Sequence, residues 1–439
     1  MTELRVGLLG LGTIGTGVAR ILIEQKELIS RRLGKQVRLV AAADRDLDRD
    51  RGLDLSGVRL SSDANDVVTA DDVDLVVELI GGYEPARTFV ATALEHGKHV
   101  VTANKALIAK HGEELFPVAA ANGLQIGFEA AVGGGIPCMK ALREGLAANA
   151  IESVYGILNG TCNFILTKME NEGADYADVL KEAQALGYAE ADPTFDVEGI
   201  DTAQKLSILA AMAFGSKIKF EEVFTEGISK ITAADIESAH EMGYRIKLLG
   251  IAKPHGAGVE AVEMRVHPTL VPLTSQMAQV SDSYNAVQIS GDFVEHTMYF
   301  GRGAGERPTA SAVVADIMDI ASGFPDGIAH LAPPMGFVES SRCDKPTMPM
   351  ADTECEYFIR LMVKDQPGVI ASVTSILADH RISLEALAQK ERHASHNVPI
   401  VMLTHDTTEG NLQAAISRIT GLEAVEEDVL ILRKESAVA

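Results

Sequence analysis

The sequence predicts an α/β chain in three parts: a doubly wound parallel sheet, an α+β domain, and a small closing domain with its own pattern. Three observations carry this. The first 130 residues alternate short β-branched runs with helical stretches, the rhythm of a parallel sheet covered by helices. From Gly133 to about Asp326 the pattern changes to longer helices followed by alternating apolar runs. Residues 323–354 then collect Pro325, Pro333, Pro334, Pro346 and Pro349, a linker-like composition, and beyond them the pattern restarts.

In the first part, strands are expected at Leu4 to Leu9, Val37 to Ala43, Asp74 to Ile80, His99 to Thr102 and Leu124 to Phe128. Helices such as Ile14 to Gln25 and Ala86 to His96 fill the gaps. In the second, Ile151 to Leu158 reads as a strand, and Cys162 to Glu172, Tyr176 to Leu186 and Ile200 to Phe214 as helices. Alternating runs at Lys247 to Ala252, Val259 to Val266, Ala286 to Ile289 and Phe293 to Phe300 follow, then a helix from about Thr309 to Ser322. In the third, Tyr357 to Val363, Ile382 to Leu387, Val398 to Thr404 and Val425 to Leu432 are strand-like. With helices at Val369 to Asp379 and Glu409 to Arg418, the order is β-α-β-β-α-β, the ferredoxin-like arrangement. The expected boundaries are therefore 1–132, 133–325 and 355–435, with 326–354 as the linker and the helix near 305–322 returning to pack on the first domain.

At 439 residues, 46% of them hydrophobic, the chain has apolar surface for several cores, which excludes disorder. The 62 Asp and Glu against 39 Lys and Arg give a net charge of −23, a field that opposes nucleic acid and anionic lipid. Neither partner is expected. Cys138, Cys162, Cys343 and Cys355 form no CxxC pair and read as free thiols of a reducing cytosol. The chain runs from Met1 straight into a strand pattern, and no apolar run approaches the ~20 residues that cross a bilayer, so a cytoplasmic location is expected.

The segment Gly10-Leu11-Gly12-Thr13-Ile14-Gly15 follows the first expected strand and opens a helix. That is the context a dinucleotide loop needs. Gly10 allows the tight turn, Gly12 lets the backbone approach a pyrophosphate at the helix N-terminus, and Gly15 lets helix and strand pack closely. A Rossmann-type nucleotide domain is expected, with Leu11, Thr13 and Ile14 completing its loop. The second strand ends at Asp44-Arg45. An acid there accepts from the ribose 2′-hydroxyl of NAD, whereas an adjacent Arg pairs with the 2′-phosphate of NADP. Both are present, so the cofactor reads as NAD or NADP, with NADP preferred.

A second constellation places five acids within twelve residues, from Glu190 to Asp201, around a Gly/Pro-punctuated loop that runs into an apolar helix. Asp201 and Lys205 are four apart and share a helix face. Charge runs are usually solvated and such pairs usually lie on the surface. Here Leu206, Ile208, Leu209, Ala210, Ala211 and Met212 make the helix apolar nearly all round, so a lysine and an acid at its mouth point to a site.

The run from Ala183 to Lys205, reading A-x3-G-Y-A-E-x-D-P-x2-D-x2-G-x-D-x3-K, resembles the signature of the homoserine dehydrogenase family. So do Gly81-Gly82-Tyr83-Glu84-Pro85, the segment from Gly97 to Lys105, the segment from Phe128 to Pro137, and Asn159-Gly160-Thr161-Cys162-Asn163. The likeness runs in order from the first strand to about residue 330. Asp365-Gln366-Pro367-Gly368-Val369 resembles the strand-to-helix turn where ACT domains bind an amino acid. The whole arrangement is similar to monofunctional members of the family that carry a regulatory tail.

The resemblance implies interconversion of L-homoserine and L-aspartate 4-semialdehyde with NAD(P)H, in the biosynthesis of threonine, methionine and isoleucine. A hydride moves to or from the aldehyde carbon, and a proton to or from its oxygen. Lys205 matches the family's acid/base lysine and Lys105 its second lysine. Gly187, Glu190 and Asp201 match substrate-binding positions, with Asp196 in support. Glu129 and the carbonyls of Val132, Gly134 and Ile136 match a sodium loop, which also reads as a glycine hinge. Gly305, in Gly301-Arg302-Gly303-Ala304-Gly305, matches a returning loop beside the cofactor. The tail implies feedback by L-threonine near Asp365 and Gly368, and ACT domains and the middle domain together imply a homodimer or homotetramer.

Two other functions compete. A thioester-type aldehyde dehydrogenase would use Cys162 as nucleophile, which requires a reachable thiolate. A non-enzymatic sensor would bind nucleotide and amino acid without turnover. The charge is uneven: residues 1–133 carry 15 basic and 19 acidic groups, residues 134–329 carry 14 and 27, and residues 330–439 carry 10 and 16. The half that accepts cofactor phosphates is near neutral, and the half that would hold a substrate ammonium is acidic.

Overall fold

Six parallel strands form one sheet, all but β3 where strands are expected: β1 (Glu3–Leu9), β2 (Gln36–Ala43), β3 (Arg59–Ser61), β4 (Leu75–Glu78), β5 (His99–Thr102) and β6 (Ile126–Gly127). A computed structural model of the chain describes residues 3–325, 332–389, 397–426, 429–436 and 438. The strand order is β3-β2-β1-β4-β5-β6, so the order reverses beside β1 and opens a crevice at the carboxyl ends of the strands. Helices α1 (Thr13–Glu24), α2 (Lys26–Leu33), α3 (Asn65–Val68), α4 (Ala86–Glu95) and α5 (Lys105–Ala121) connect them. β4 is shorter than expected because its ends turn to other work. Asp74 takes the backbone N–H and guanidinium of Arg5, and Ile80 N donates to Glu78 at the start of a glycine turn.

The chain continues through α6 (Cys138–Lys140), β7 (Ile151–Ile157), α7 (Gly160–Glu172), α8 (Tyr176–Ala185), α9 (Thr194–Val197) and α10 (Ile200–Phe214). Next come β8 (Phe224–Thr225), α11 (Ala233–Glu241), β9 (Tyr244–His255), β10 (Ala261–Pro272), β11 (Tyr284–Gly291), β12 (Glu295–Arg302) and α12 (Glu306–Gly323). The closing stretch holds β13 (Glu354–Lys364), α13 (Val369–Asp379), β14 (Leu384–Gln389), β15 (Asn397–Thr404), β16 (Thr407–Thr408), α14 (Glu409–Thr420) and β17 (Leu430–Lys434). The last strand begins later than expected from Val425, and residues 427–428 of that expectation lie outside the described ones. Among the described residues no helix is long and apolar enough to cross a membrane.

Contacts divide the chain into two units. The first comprises Met1–Gly160, Ala203–Val223 and Ser283–Lys345. Its parallel sheet packs Leu4, Val6 and Leu8 against Val18 and Leu22 of α1 and Val313 and Ile317 of the returning α12. A separate antiparallel set joins β7, β11 and β12.

The second unit comprises Thr161–Thr202, Phe224–Asp282 and Pro346–Ala439. β9 and β10 form a long hairpin, with β8 beside β10. In the closing domain the strands lie in the order β17-β13-β15-β14, and Tyr357, Ile359 and Leu361 pack under Val373, Leu377 and Leu412. β17 also pairs in parallel with β10, so one strand serves two neighbours.

The stretch expected as a linker is anchored at several points among its described residues; residues 326–331 lie outside them. In the first unit, Cys343 N donates to Gly215 O and Lys217 N to Cys343 O, each at 3.1 Å. The side chain of Arg342 is fully buried and bonds Glu113 of α5. In the second unit, Val262 N donates to Pro346 O at 3.0 Å and Met348 N to Val262 O at 2.9 Å. Proline removes a donor but keeps its carbonyl, so a proline-rich stretch can be held this way as readily as it can be loose.

Candidate active site

The glycine loop between β1 and α1 is built by close approach. A side chain at Gly15 would put its Cβ 1.9 Å from Gly10 O, and one at Gly10 would fall 2.9 Å from Leu79 O. At Gly12 a Cβ would meet nothing within 4 Å, and this residue caps α1 with no side-chain partner. The first-turn N–H groups therefore face open space at the positive end of a helix. Gly10, Gly12, Asp44, Arg45, Ile80 and Pro85 are among the residues that line a 460 Å³ pocket there. A cradle with these donors and this room fits a nucleotide.

Asp44 works mainly on the loop itself. Its Oδ2 accepts from Leu11 N at 2.6 Å and its Oδ1 from Asp46 N at 2.9 Å, with Arg51 3.3 Å away. Arg51, 3% exposed, also donates to Leu11 O at 3.1 Å. It pins the loop, and no sequence pattern marks it because it sits in an irregular stretch. Arg45 is exposed on the pocket wall and makes no ion pair among the described residues.

Lys105 opens α5 just past the carboxyl end of β5. A buried relay fixes that position. Glu78 accepts from Ile80 N and Gly81 N at 2.8 and 2.9 Å and from Thr102 Oγ1 at 2.6 Å. Thr102 Oγ1 accepts from Asn104 N, and Asn104 caps the helix through Leu107 N while donating to Gly82 O. Lys205 lies on α10, half-buried, and donates to Leu158 O at 2.6 Å. Both lysines and the glycine loop belong to the first unit.

Glu129 is 2% exposed and accepts from Met139 N and Lys140 N at 3.1 and 2.8 Å. Its own N–H donates to Asp316 of α12 at 2.8 Å. Burial pushes Glu129 up to about 7 and Asp316 up to about 6, and Lys140 is the nearest counter-charge. Val132, Gly134 and Ile136 follow in the same loop, and Gly135 N donates to Arg302 O, which brings the returning loop with Gly303 and Gly305 against it. Among the described residues no group of three or more His, Cys, Asp or Glu could hold a metal ion. A monovalent ion held by one carboxylate and backbone carbonyls needs no such group.

In the second unit, the loop from Gly187 to Asp201 is folded onto α7 and α8. Tyr188 N donates to Ala183 O, and Gln184 Nε2 to Glu190 O. Thr161 Oγ1 donates to Tyr188 O at 2.6 Å, and Cys162 Sγ to Asp196 O at 3.1 Å. This gathers Gly187, Glu190 and Asp196, with Asp201 at the start of α10. Glu190 is exposed, Asp196 half-buried and Asp201 buried. Cys162 is 0% exposed with its thiol turned to a backbone carbonyl, so no substrate carbonyl reaches it and the thioester reading loses its nucleophile. Lys247, missed in the sequence because it sits in an apolar strand, donates to Asn163 Oδ1 and Val280 O and holds α7. Burial pushes it down to about 7. Asp365 and Gly368 lie apart from these, exposed between β13 and α13.

Residues 10–129 match the family model for the NAD-binding domain of homoserine dehydrogenase, residues 137–318 that for homoserine dehydrogenase, and residues 357–424 that for the ACT domain. The homoserine dehydrogenase of Neisseria gonorrhoeae is 47% identical over 436 residues, covering 99% of each chain. That of Pseudomonas aeruginosa is 46% identical over the same length, again with 99% of each covered. Among solved structures, a homoserine dehydrogenase from Thiobacillus denitrificans has a TM-score of 0.94 and 50% identity, covering 100% of this chain and 99% of its own. A hyperthermophilic archaeal homoserine dehydrogenase in complex with NADPH has a TM-score of 0.62 and 28% identity, covering 74% of this chain and 99% of its own. Likeness over the whole length, with all three parts matched in order, means that this chain belongs to the homoserine dehydrogenase family, as an oxidoreductase with a nucleotide-binding domain and a C-terminal ACT domain.

Proposed function

We propose that the chain interconverts L-homoserine and L-aspartate 4-semialdehyde with Lys205 as acid and base. The observation that carries this is the placing of Lys205 one turn beyond buried Asp201 on α10, with its ammonium directed to Leu158 O. A nicotinamide cofactor, held by the Gly10–Gly15 loop, would supply or take the hydride. Lys205 protonates the oxygen that becomes an alkoxide on reduction, and in the reverse direction takes that proton back. Lys105 adds a second positive charge at the carboxyl edge of the sheet. Glu190 and Asp201 accept from the substrate ammonium, Asp196 supports them, and Gly187 lets the loop turn. An unpaired substrate ammonium would cost several kcal/mol, so it requires such acids as acceptors.

NADP is the proposed cofactor. Asp44 is engaged with Leu11 N–H and Arg51, while Arg45 stands exposed on the same pocket and suits a 2′-phosphate. Gly10 to Gly15 would hold the pyrophosphate, and Gly305 would lie beside the cofactor. Glu129 with the carbonyls of Val132, Gly134 and Ile136 would hold sodium, a reading supported by the burial of that carboxylate at the start of the loop that carries the three carbonyls. The three-part division at 1–132, 133–325 and 355–435 is supported by the separate family matches. L-threonine is the proposed effector at Asp365 and Gly368. Four free cysteines support the cytoplasm, and exposed Phe293, in the turn between β11 and β12, and exposed Phe300, on the edge strand β12, support a homodimer or homotetramer.

Steady-state kinetics of four variants test the reaction and the cofactor. Lys205→Ala is expected to lose about 10²–10⁴-fold in kcat with an unchanged circular dichroism spectrum. Asp201→Asn and Glu190→Gln should raise the homoserine KM about tenfold or more, the loss of a charged hydrogen bond. Arg45→Ala should raise the NADP KM about tenfold and leave that for NAD unchanged. Near-parental turnover in Lys205→Ala would remove the assignment.

Three further measurements address the other ligands. Replacing sodium chloride with choline chloride at equal ionic strength should lower the rate of the parent and leave Glu129→Gln unmoved; equal effects on both would refute the cation site. Asp365→Ala should shift half-inhibition by L-threonine at least about tenfold, and an unshifted curve would place the effector elsewhere. Sedimentation velocity should give a dimer or tetramer, which a monomer at micromolar concentration would contradict.

A further inference from the structure

The closing domain reaches the acidic loop through a chain of contacts inside the second unit that the reaction above does not use. β17 lies between β13 and β10, and its Arg433 stands opposite Thr269. Arg433 is 1% exposed there. Its Nε and one terminal nitrogen donate to the two carboxylate oxygens of Glu409 on α14, at 3.0 and 2.6 Å. Its other terminal nitrogen bonds Glu226, and the guanidinium lies 5.1 Å from the centroid of the Phe224 ring. An arginine buried this deeply requires its charge matched and its N–H groups used. Glu409 comes from the closing domain itself. Glu226 comes from the stretch that follows β8.

That stretch is packed without slack on the acidic loop. Ile228 N donates to Val197 O at 2.8 Å. Between Glu226 and Ile228, a Cβ on Gly227 would fall 2.3 Å from Val197 O and 2.5 Å from Glu198 Cα. From the loop side, Gly199 holds a φ of +82°, and a Cβ there would lie 3.0 Å from Val266 Cγ1 and 3.1 Å from Thr225 Cγ2. Residues 197–199 belong to the four-residue link between Asp196 and Asp201. Where neither backbone can move toward or away from the other, the place of Glu226 sets the place of both acids.

We propose that Arg433 and Glu226 are a positioning pair for the dehydrogenase reaction: the last strand of the closing domain clamps Glu226, and through Gly227 it holds Asp196 and Asp201 at the substrate. The proposal rests on the reading of Asp201 as a substrate acid. It makes the closing domain part of the substrate site even with no effector bound. The pair acts through the loop, so its loss should register in substrate affinity rather than in proton or hydride transfer.

Glu226→Gln tests this in the full-length chain, since the Glu226 side chain is 44% exposed and its replacement leaves no cavity. The homoserine KM is expected to rise at least about fivefold, with kcat and the nucleotide KM within about twofold of the parent. In a double-mutant cycle with Asp201→Asn the two effects on KM should be less than additive, because both act at one carboxylate. A fall in kcat and a rise in every KM together would mark a merely structural role and overturn the clamp, as would full additivity. A raised KM in Asp201→Asn with none in Glu226→Gln would overturn the clamp and leave the substrate reading standing. An unchanged KM in Asp201→Asn would overturn both.

Discussion

One strand shared between two neighbours is the constraint on which the second unit depends. β17 runs parallel to β10 and antiparallel to β13, and the charged residues of β10 are buried together with those at the end of β17. Arg265 on β10, 1% exposed, donates to Glu263, to Glu435 beyond β17, and to His267 Nε2. Burial and the two arginines hold His267 well below the usual imidazole range, so it stays neutral and can accept that bond. With Nε2 accepting, the proton sits on Nδ1, which faces Pro268 O at 3.0 Å. The set is satisfied only while β17 is in place. Removing one partner of such a pair leaves an uncompensated buried charge, at about 3–5 kcal/mol. The closing domain is thus no detachable bead, and point substitutions probe it more cleanly than deletion.

The same packing refines the meaning of the acidity. The middle of the chain carries 27 acidic against 14 basic groups, which the sequence associates with a cationic substrate. Part of that excess is internal. Glu263 is spent on Arg265 and His255, and Glu226 on Arg433 from beyond residue 330. Asp235 likewise faces Arg360 of β13. What remains near the candidate site is a short set on one loop, of which Glu190 is exposed and Asp201 buried. Charge counted by segment locates the acidic region but cannot separate acids that hold the fold from acids available to a ligand.

What was legible in the sequence follows range. Parallel strands, the Gly10–Gly15 loop and the start of α5 at Lys105 are written in neighbouring residues, and α10 occupies Ile200–Phe214 as expected because its apolar faces need no distant partner. β3 is a largely exposed Arg-Leu-Ser that pairs along the edge offered by Ala41 to Ala43, so no periodicity marks it. Arg51, Lys247 and Arg433 escaped for a related reason. Each is a cation with at least one partner distant in the chain, and a lone basic residue in a loop or strand reads as surface. The resemblance supplied the lysines and acids by position, yet it said nothing of what keeps them there.

Both units treat the route into the closing domain in the same physical way. In the first, Arg342 has a fully buried side chain and bonds Glu113 of α5 and Ser216 O just past the end of α10, the two helices that carry Lys105 and Lys205. In the second, Arg433 is buried between Glu409 and Glu226, beside the loop that carries the acids. A buried guanidinium has five donors in a rigid plane, so it holds its partners in direction as well as distance. Hydrophobic contacts at the same places would bind as strongly and tolerate sliding. Two arginines fix the approaches to the two halves of the chemistry, which accounts for charge being kept in places where burial makes it expensive.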